Sequence, residues 1–202
     1  MANTVAPRGF VPSRYLSGAA WNGACNVYCV LAAEANQINP GDAVLSVAGS
    51  DANGIPAVTK ATAGTETLRG IVIGCLAAAP NTPSLVGTTL DLTLQNIPAT
   101  KAKDYYVLVV DDPMVLFEIQ DDGLNLLTTA ACNKNASFTV ANPTAPRQNS
   151  ASVLTTASVA VGATLNLKLL GLVQRADNTL ALNAKWLVKI NLHELEGATA
   201  GV

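Results

Sequence analysis

Two stretches of this sequence decide its fold: residues 104–123 read DYYVLVVDDPMVLFEIQDDG, and residues 165–191 read LNLKLLGLVQRADNTLALNAKWLVKIN. Each consists of two apolar, strand-like runs on either side of a polar turn. From Val115 to Gln120 the apolar residues at every second position have the period of a strand with one buried face. The run Tyr105–Val110 is apolar throughout, as in a strand that is covered on both faces. We therefore predict two hairpin-like units of β-sheet.

The remainder of the chain continues this pattern of short apolar runs between turn residues. Asn53-Gly54 is a favoured two-residue hairpin turn, and residues 90–95 alternate in the same way as a half-buried strand. Residues 124–135 are the best place for a short helix, and the tail after residue 191 is expected to fray. Short strands at regular spacing predict an all-β sandwich or barrel, in which a jelly roll, a smaller barrel with an insertion and a two-sheet sandwich all remain open.

The first 24 residues differ from the rest, because prolines and glycines recur among isolated large side chains. This spacing opposes a helix and favours an extended arm. We predict an extended N-terminal arm over residues 1–24 and a single β-rich domain over residues 25–202. Arginine and aromatic residues dominate the energetics of protein interfaces. The predicted partner-binding residues of the arm are Arg8, Phe10, Arg14, Tyr15 and Trp21.

The composition indicates a protein that associates with other subunits. Hydrophobic residues make up 50% of the chain and charged residues only 13%, against about 25% in an ordinary soluble domain. A surface with so few charges associates readily. The net charge of −2 and the lack of a basic run predict no nucleic-acid partner. The apolar runs are shorter than the roughly 20 residues of a membrane-spanning helix, which predicts no membrane partner.

Catalytic motifs are lacking in the sequence. His193 is the one histidine, and we expect it to be exposed near the C-terminus. The acidic residues of 104–123 include Asp111 and Asp121, which we interpret as turn residues; calcium binding and a glycosidase acid/base pair are the alternatives. We predict no catalytic residues, no metal site and no cofactor. The four cysteines are Cys25, Cys29, Cys75 and Cys132, and we predict that they are buried free thiols.

Several segments of the chain resemble head decoration proteins, also called capsid cement proteins, of tailed bacteriophages. None of these segments has a catalytic motif. They are distributed along nearly the whole chain, and the resemblance is weakest over residues 77–100 and 130–160. They are MANTVAPRGFVPSRYLSGAAWNG (residues 1–23), GDAVLSVAGSDANGIPAVTKATAG (41–64), RGIVIG (69–74), DDPMVLFEIQDDG (111–123) and GLVQRADNTLALNAKWLVKINLHEL (171–195).

The resemblance implies a β-rich, non-enzymatic virion protein on the outer surface of the capsid. Its implied partners are the major capsid protein, whose subunit contacts it stabilises, and further copies of itself in a dimer or trimer. Two other functions stay open. One is a minor virion or host-surface module that binds carbohydrate, and the other is a glycan hydrolase that uses the acidic turns.

Overall fold

The computed structural model describes residues 3–79, 94–144 and 147–197. These residues form strands joined by loops and two single-turn 3-10 helices, so the predicted all-β fold is confirmed. The strands are β1 Val11–Tyr15, β2 Asn26–Val30, β3 Ala43–Ser50, β4 Pro56–Lys60, β5 Gly70–Leu76, β6 Tyr105–Val110, β7 Val115–Gln120, β8 Asn135–Ala136, β9 Phe138–Thr139, β10 Val153–Leu154, β11 Leu167–Leu172 and β12 Lys185–Ile190. The 3-10 helices are Thr129–Ala131 and Thr156–Ser158.

Five strands close into a barrel in the order β2-β4-β3-β5-β6. The turn predicted at Asn53-Gly54 joins β3 to β4, but it is longer than the predicted two residues: Ser50 pairs with Pro56 across it, and the Asp51 N–H donates to the Ile55 carbonyl at 3.0 Å. Gly54 has a φ of 82°, a backbone conformation that glycine adopts without the steric penalty of a Cβ atom. The Asp51 carboxylate accepts hydrogen bonds from the backbone N–H groups of Asn53 and Ile55, which fixes the turn from inside.

A second sheet has the order β1-β7-β12-β11-β8. Its centre is the hairpin predicted over residues 165–191, in which Leu169 pairs with Val188. The side chains that alternate inward from β7, β11 and β12 are buried, and they include Phe117, Leu169 and Trp186. Strand pairing and the period of two therefore give this sheet one apolar face, as the sequence predicts.

The largest hydrophobic core lies between the barrel and the sheet. Ile71 of β5 and Val110 of β6 share this core with Trp186 of the sheet. The neighbouring residues on the same two barrel strands, Val72 and Val109, belong to a separate core made by barrel strands. Both faces of β5 and β6 are thus covered, which explains why Tyr105–Val110 is a continuous apolar run.

The hairpin predicted within residues 104–123 is wrong, although both of its strands form. β6 pairs with β2 and β5 in the barrel, whereas β7 pairs with β1 and β12 in the sheet. The turn at residues 111–114 carries the chain from one sheet to the other. Apolar alternation reports which face of a strand is buried but carries no information about its neighbour in the sheet.

The N-terminal segment is extended, as predicted, but it lies on the body of its own chain. β1 pairs antiparallel with β7 as an edge strand of the sheet. Phe10 is only 2% exposed and meets the ring of Phe138 edge-on at 5.1 Å. Gly9 makes this approach sterically allowed, because a Cβ atom there would lie 2.3 Å from the carbonyl oxygen of Gly41.

Two further expectations need correction. The predicted helix at 124–135 is reduced to the single turn Thr129–Ala131. The tail is not frayed over residues 191–197, since the Leu68 N–H donates to the Leu192 carbonyl at 2.8 Å. The strand predicted at 90–95 falls mostly outside the described residues.

Candidate partner-binding surface

The five predicted binding residues occupy three different environments. Phe10 belongs to the main core and is almost fully buried; its role in binding stays a prediction. Tyr15 and Trp21 are half-buried and pack against that core. Arg8 and Arg14 are exposed. Within β1, Arg14 and Tyr15 point to opposite faces of the sheet because side chains alternate along a strand, and the register shift between Pro12 and Arg14 interrupts this alternation along the strand.

Tyr15 and Trp21 hold the loop that follows β1. The Tyr15 hydroxyl donates to the Asn22 side-chain oxygen at 3.0 Å, and the indole N–H of Trp21 donates to the Ala24 carbonyl at 3.2 Å. Their rings therefore anchor residues 16–24 against the body.

An apolar patch surrounds Arg14 on the outer face of the sheet. Val11 is 38% exposed, Leu16 is 50% exposed and Met114 is 44% exposed. The Leu16 N–H donates to the Met114 carbonyl at 2.8 Å, so the two side chains belong to adjoining backbone segments. We call Val11, Arg14, Leu16 and Met114 the outer corner. The sequence prediction missed Leu16 and Met114. Leu16 follows Tyr15 and Met114 precedes Val115, and both of these neighbours face inward. Alternation of side chains along a strand therefore indicates that Leu16 and Met114 face outward.

A row of cations crosses the sheet from the outer corner. Strand register places Arg14 opposite Leu116, Leu116 opposite Lys189, and Lys189 opposite Lys168. Lys189 pairs with Glu196, whereas Lys168 and Arg14 form no ion pair among the described residues. Like charges directly opposite one another destabilise a sheet. Arg14 and Lys168 are therefore the two cations of this row without an ion pair among the described residues.

Arg8 lies in a groove between β1 and the barrel, and Val11 of the outer corner also lines this groove. The groove has a volume of about 340 Å³, and its lining includes Trp21, Pro12 and Ile73. A second hollow of about 260 Å³ also contains Arg8 and adds Arg147. The structure thus brings Arg8, Phe10 and Trp21 together in the lining of one groove but leaves Arg14 and Tyr15 outside it.

The acidic residues are more than turn residues. Asp111 is 6% exposed and accepts hydrogen bonds from Asn26 and from the Tyr28 hydroxyl. Arg69 donates to the same hydroxyl at 2.6 Å. Burial, together with the hydrogen bond to Asp111, raises the pKa of Tyr28 to about 12. These contacts join β2, β5 and the end of β6, which gives Asp111 a structural role beyond its turn.

Asp121 has a similar role in the second sheet. It is 2% exposed and accepts hydrogen bonds from the Trp186 indole N–H and the Ala184 N–H, each at 3.1 Å. Burial raises the pKa of this carboxyl, and the hydrogen bonds oppose the rise. The prediction of a simple turn is therefore incomplete for both aspartates.

The expectation that His193 is exposed is wrong. Its side chain is 2% exposed, and its Nδ1 accepts a hydrogen bond from the Leu195 N–H at 3.0 Å. Burial lowers the pKa of the imidazole. Next to it, Glu194 accepts from the Ser46 N–H at 2.8 Å. The hydrogen bond from Ser46 of β3 to Glu194 therefore attaches the tail to the barrel.

The prediction of free cysteines is confirmed, since none of the four forms a disulfide. Cys29 is fully buried, as predicted, whereas the prediction of burial is wrong for Cys25, Cys75 and Cys132, which are partly exposed. Burial raises the pKa of Cys29 to about 11, which keeps this thiol protonated at neutral pH. Across residues 3–79, 94–144 and 147–197, no group of three or more histidine, cysteine or acidic side chains is arranged to hold a metal ion.

Comparison of the whole chain with known protein families, curated proteins and solved structures finds no match. In the part of the chain that the structure describes, no helix has the length and apolar character needed to cross a membrane.

Proposed function

We propose that this protein is a structural virion protein that binds the outer surface of a bacteriophage head and stabilises contacts between major capsid protein subunits. The observation that supports this proposal best is the outer corner. It combines three exposed apolar side chains with an arginine that forms no ion pair within the described residues. Methionine and arginine are enriched at protein interfaces relative to the remaining surface.

The outer corner is preorganised for binding. β1 is fixed by its pairing with β7, and Phe10 anchors the preceding residues in the core. A flexible arm would lose conformational entropy when it docks, whereas a strand that is already ordered avoids most of that loss. The anchoring residues thus serve binding indirectly, because they hold Arg14 and Leu16 in place.

The cationic row defines the chemistry of the surface that the corner would meet. Arg14, Lys168 and Lys189 lie in one line across the sheet. A partner with an apolar centre and a flanking strip of carboxylates would complement both features. If dimers or trimers attach through several such corners at once, release requires several contacts to break together.

A binding assay on purified phage heads that lack the protein tests this proposal. We expect the wild-type chain to saturate the heads at many copies per particle, and the double variant Arg14→Glu, Met114→Asp to lose most of this binding. Val161→Asp is the matched control, because Val161 is 87% exposed and lies outside the outer corner. Failure of the wild type to bind heads, or equal binding by the double variant, would contradict the proposal.

The groove that contains Trp21 favours a second candidate function, a carbohydrate-binding module. Aromatic rings and polar groups together suit a sugar ligand, and the groove lining includes Trp21, Arg8 and Asn149. Titration of the Trp186→Phe variant with host surface glycans would isolate the fluorescence of Trp21. A saturable change in emission supports this candidate, and unchanged emission removes it.

A further inference from the structure

The buried pair Lys60 and Asp42 contacts the exposed Asn142 at a site outside the outer corner and the groove. Lys60 is 4% exposed and Asp42 is 1% exposed. The Lys60 Nζ lies 2.7 Å from Asp42 Oδ2 and 2.6 Å from Asn142 Oδ1. One amine therefore contacts a carboxylate and a carboxamide at the same time, and all three side chains come from distant positions in the sequence.

The carboxylate is only partly satisfied by the fold. Asp42 Oδ2 accepts from Lys60 and also from the Asn39 N–H at 2.8 Å and the Asn39 side-chain amide at 3.2 Å. Asp42 Oδ1 is buried without a hydrogen-bond partner. Buried polar atoms are normally paired, so this oxygen is an exception within the fold and leaves one position on the carboxylate open for a further contact.

The amine is placed for reaction with the amide. An oxygen contact of 2.6 Å brings the attached Cγ of Asn142 close to the separation of about 3 to 3.5 Å that is typical of reacting atoms. Lys60 Nζ also donates to the Gln37 carbonyl at 3.0 Å, which restricts its position. Asn142 itself is exposed, so a small product released there can leave.

We propose that Lys60 and Asn142 form an intramolecular isopeptide bond with Asp42 as the catalytic residue. The Lys60 ammonium first transfers a proton to Asp42, which leaves a neutral amine beside a carboxylic acid. The amine attacks Cγ of Asn142, whose oxygen Nζ already contacts at 2.6 Å, while Asp42 holds the transferred proton. The new Nζ–Cγ bond forms and the Cγ–Nδ2 bond breaks. The departing nitrogen gains two protons: one comes from the attacking Nζ, and the other is returned by Asp42. The products are a secondary amide, an ammonium ion and the Asp42 carboxylate, so atoms and charge balance.

This bond would join two parts of the fold that are otherwise held by non-covalent contacts. Lys60 ends barrel strand β4, and Asn142 follows β9 in the segment that leads to β10. The inference depends only on this cluster and stands independently of the proposed function.

Intact mass spectrometry of the purified full-length chain tests the proposal. We expect the wild type to weigh less than its sequence by the mass of one ammonia, and a tryptic digest to contain a branched peptide that links Lys60 to Asn142. The Asn142→Ala variant changes an exposed residue and should have its full sequence mass. Asp42→Asn keeps the size of the side chain but cannot relay the proton, so the branched peptide should be at least tenfold less abundant.

Peptide mapping also separates this product from a competing reaction. Asn53-Gly54 is exposed, and a succinimide at that site would cause the same loss of mass without any branch. A wild-type protein that keeps its full mass after prolonged incubation, or that yields Lys60 and Asn142 only in linear peptides, overturns the proposal.

Discussion

Replacement of Phe10 with alanine tests whether the N-terminal segment belongs to the folded body. Phe10 is 2% exposed and packs edge-on against Phe117 at 6.3 Å and Phe138 at 5.1 Å between ring centroids. Truncation of a buried phenylalanine removes its transfer free energy and leaves a cavity, which together cost about 3 to 5 kcal/mol. We expect Phe10→Ala to lower the free energy of unfolding by an amount in that range.

Urea denaturation followed by the fluorescence of the buried Trp186 measures this change. The matched control is Arg14→Ala, which alters an exposed residue of the same segment and should change the free energy of unfolding by less than about 0.5 kcal/mol. A loss below about 1 kcal/mol for Phe10→Ala would refute the reasoning. It would mean that the segment leaves the body in solution, as expected of a free arm.

Three further outcomes follow from the buried polar groups. The pKa of His193 is lowered in the folded state, so the unfolded chain takes up a proton at higher pH, and the free energy of unfolding should decline as pH falls below about 6.5. Denaturation at several pH values should show a shallower decline for His193→Gln, and equal slopes for the two proteins would contradict this. Asp121→Ala leaves the buried N–H groups of Trp186 and Ala184 without their acceptor and should lower the free energy of unfolding by about 3 kcal/mol. A urea titration that shows no loss would contradict the structural role of Asp121. Cys29, which is fully buried with a raised pKa, should stay unreactive toward a thiol reagent at pH 8 until the protein unfolds, and rapid labelling in the native state would show that the site opens.

The sequence predicts the strands of this fold better than their partners. Alternation from Val115 to Gln120 places Phe117 inside and Glu118 outside, because burial of one face imposes a period of two. The same signal cannot show that β6 and β7 belong to different sheets, since pairing depends on contacts between distant residues. Asp111-Asp112-Pro113 predicts a turn whether the chain reverses within one sheet or crosses to another.

The candidate site is predicted in part, for a similar reason. Arg14 is exposed, as a binding residue must be, but nothing local to residues 8–15 shows that Phe10 enters the core between Phe117 and Phe138. The burial of His193 depends on its approach to Leu68. The cluster of Lys60, Asp42 and Asn142 arises only when the barrel brings these residues together, so no spacing in the sequence indicates it.

A reconstruction of phage heads incubated with the purified protein tests the central claim most directly. Our account predicts copies at regular positions across the outer shell, with Arg14, Leu16 and Met114 against the major capsid protein. Heads that remain bare, density at a single vertex or on the tail alone, or a bound protein whose outer corner faces solvent would contradict it.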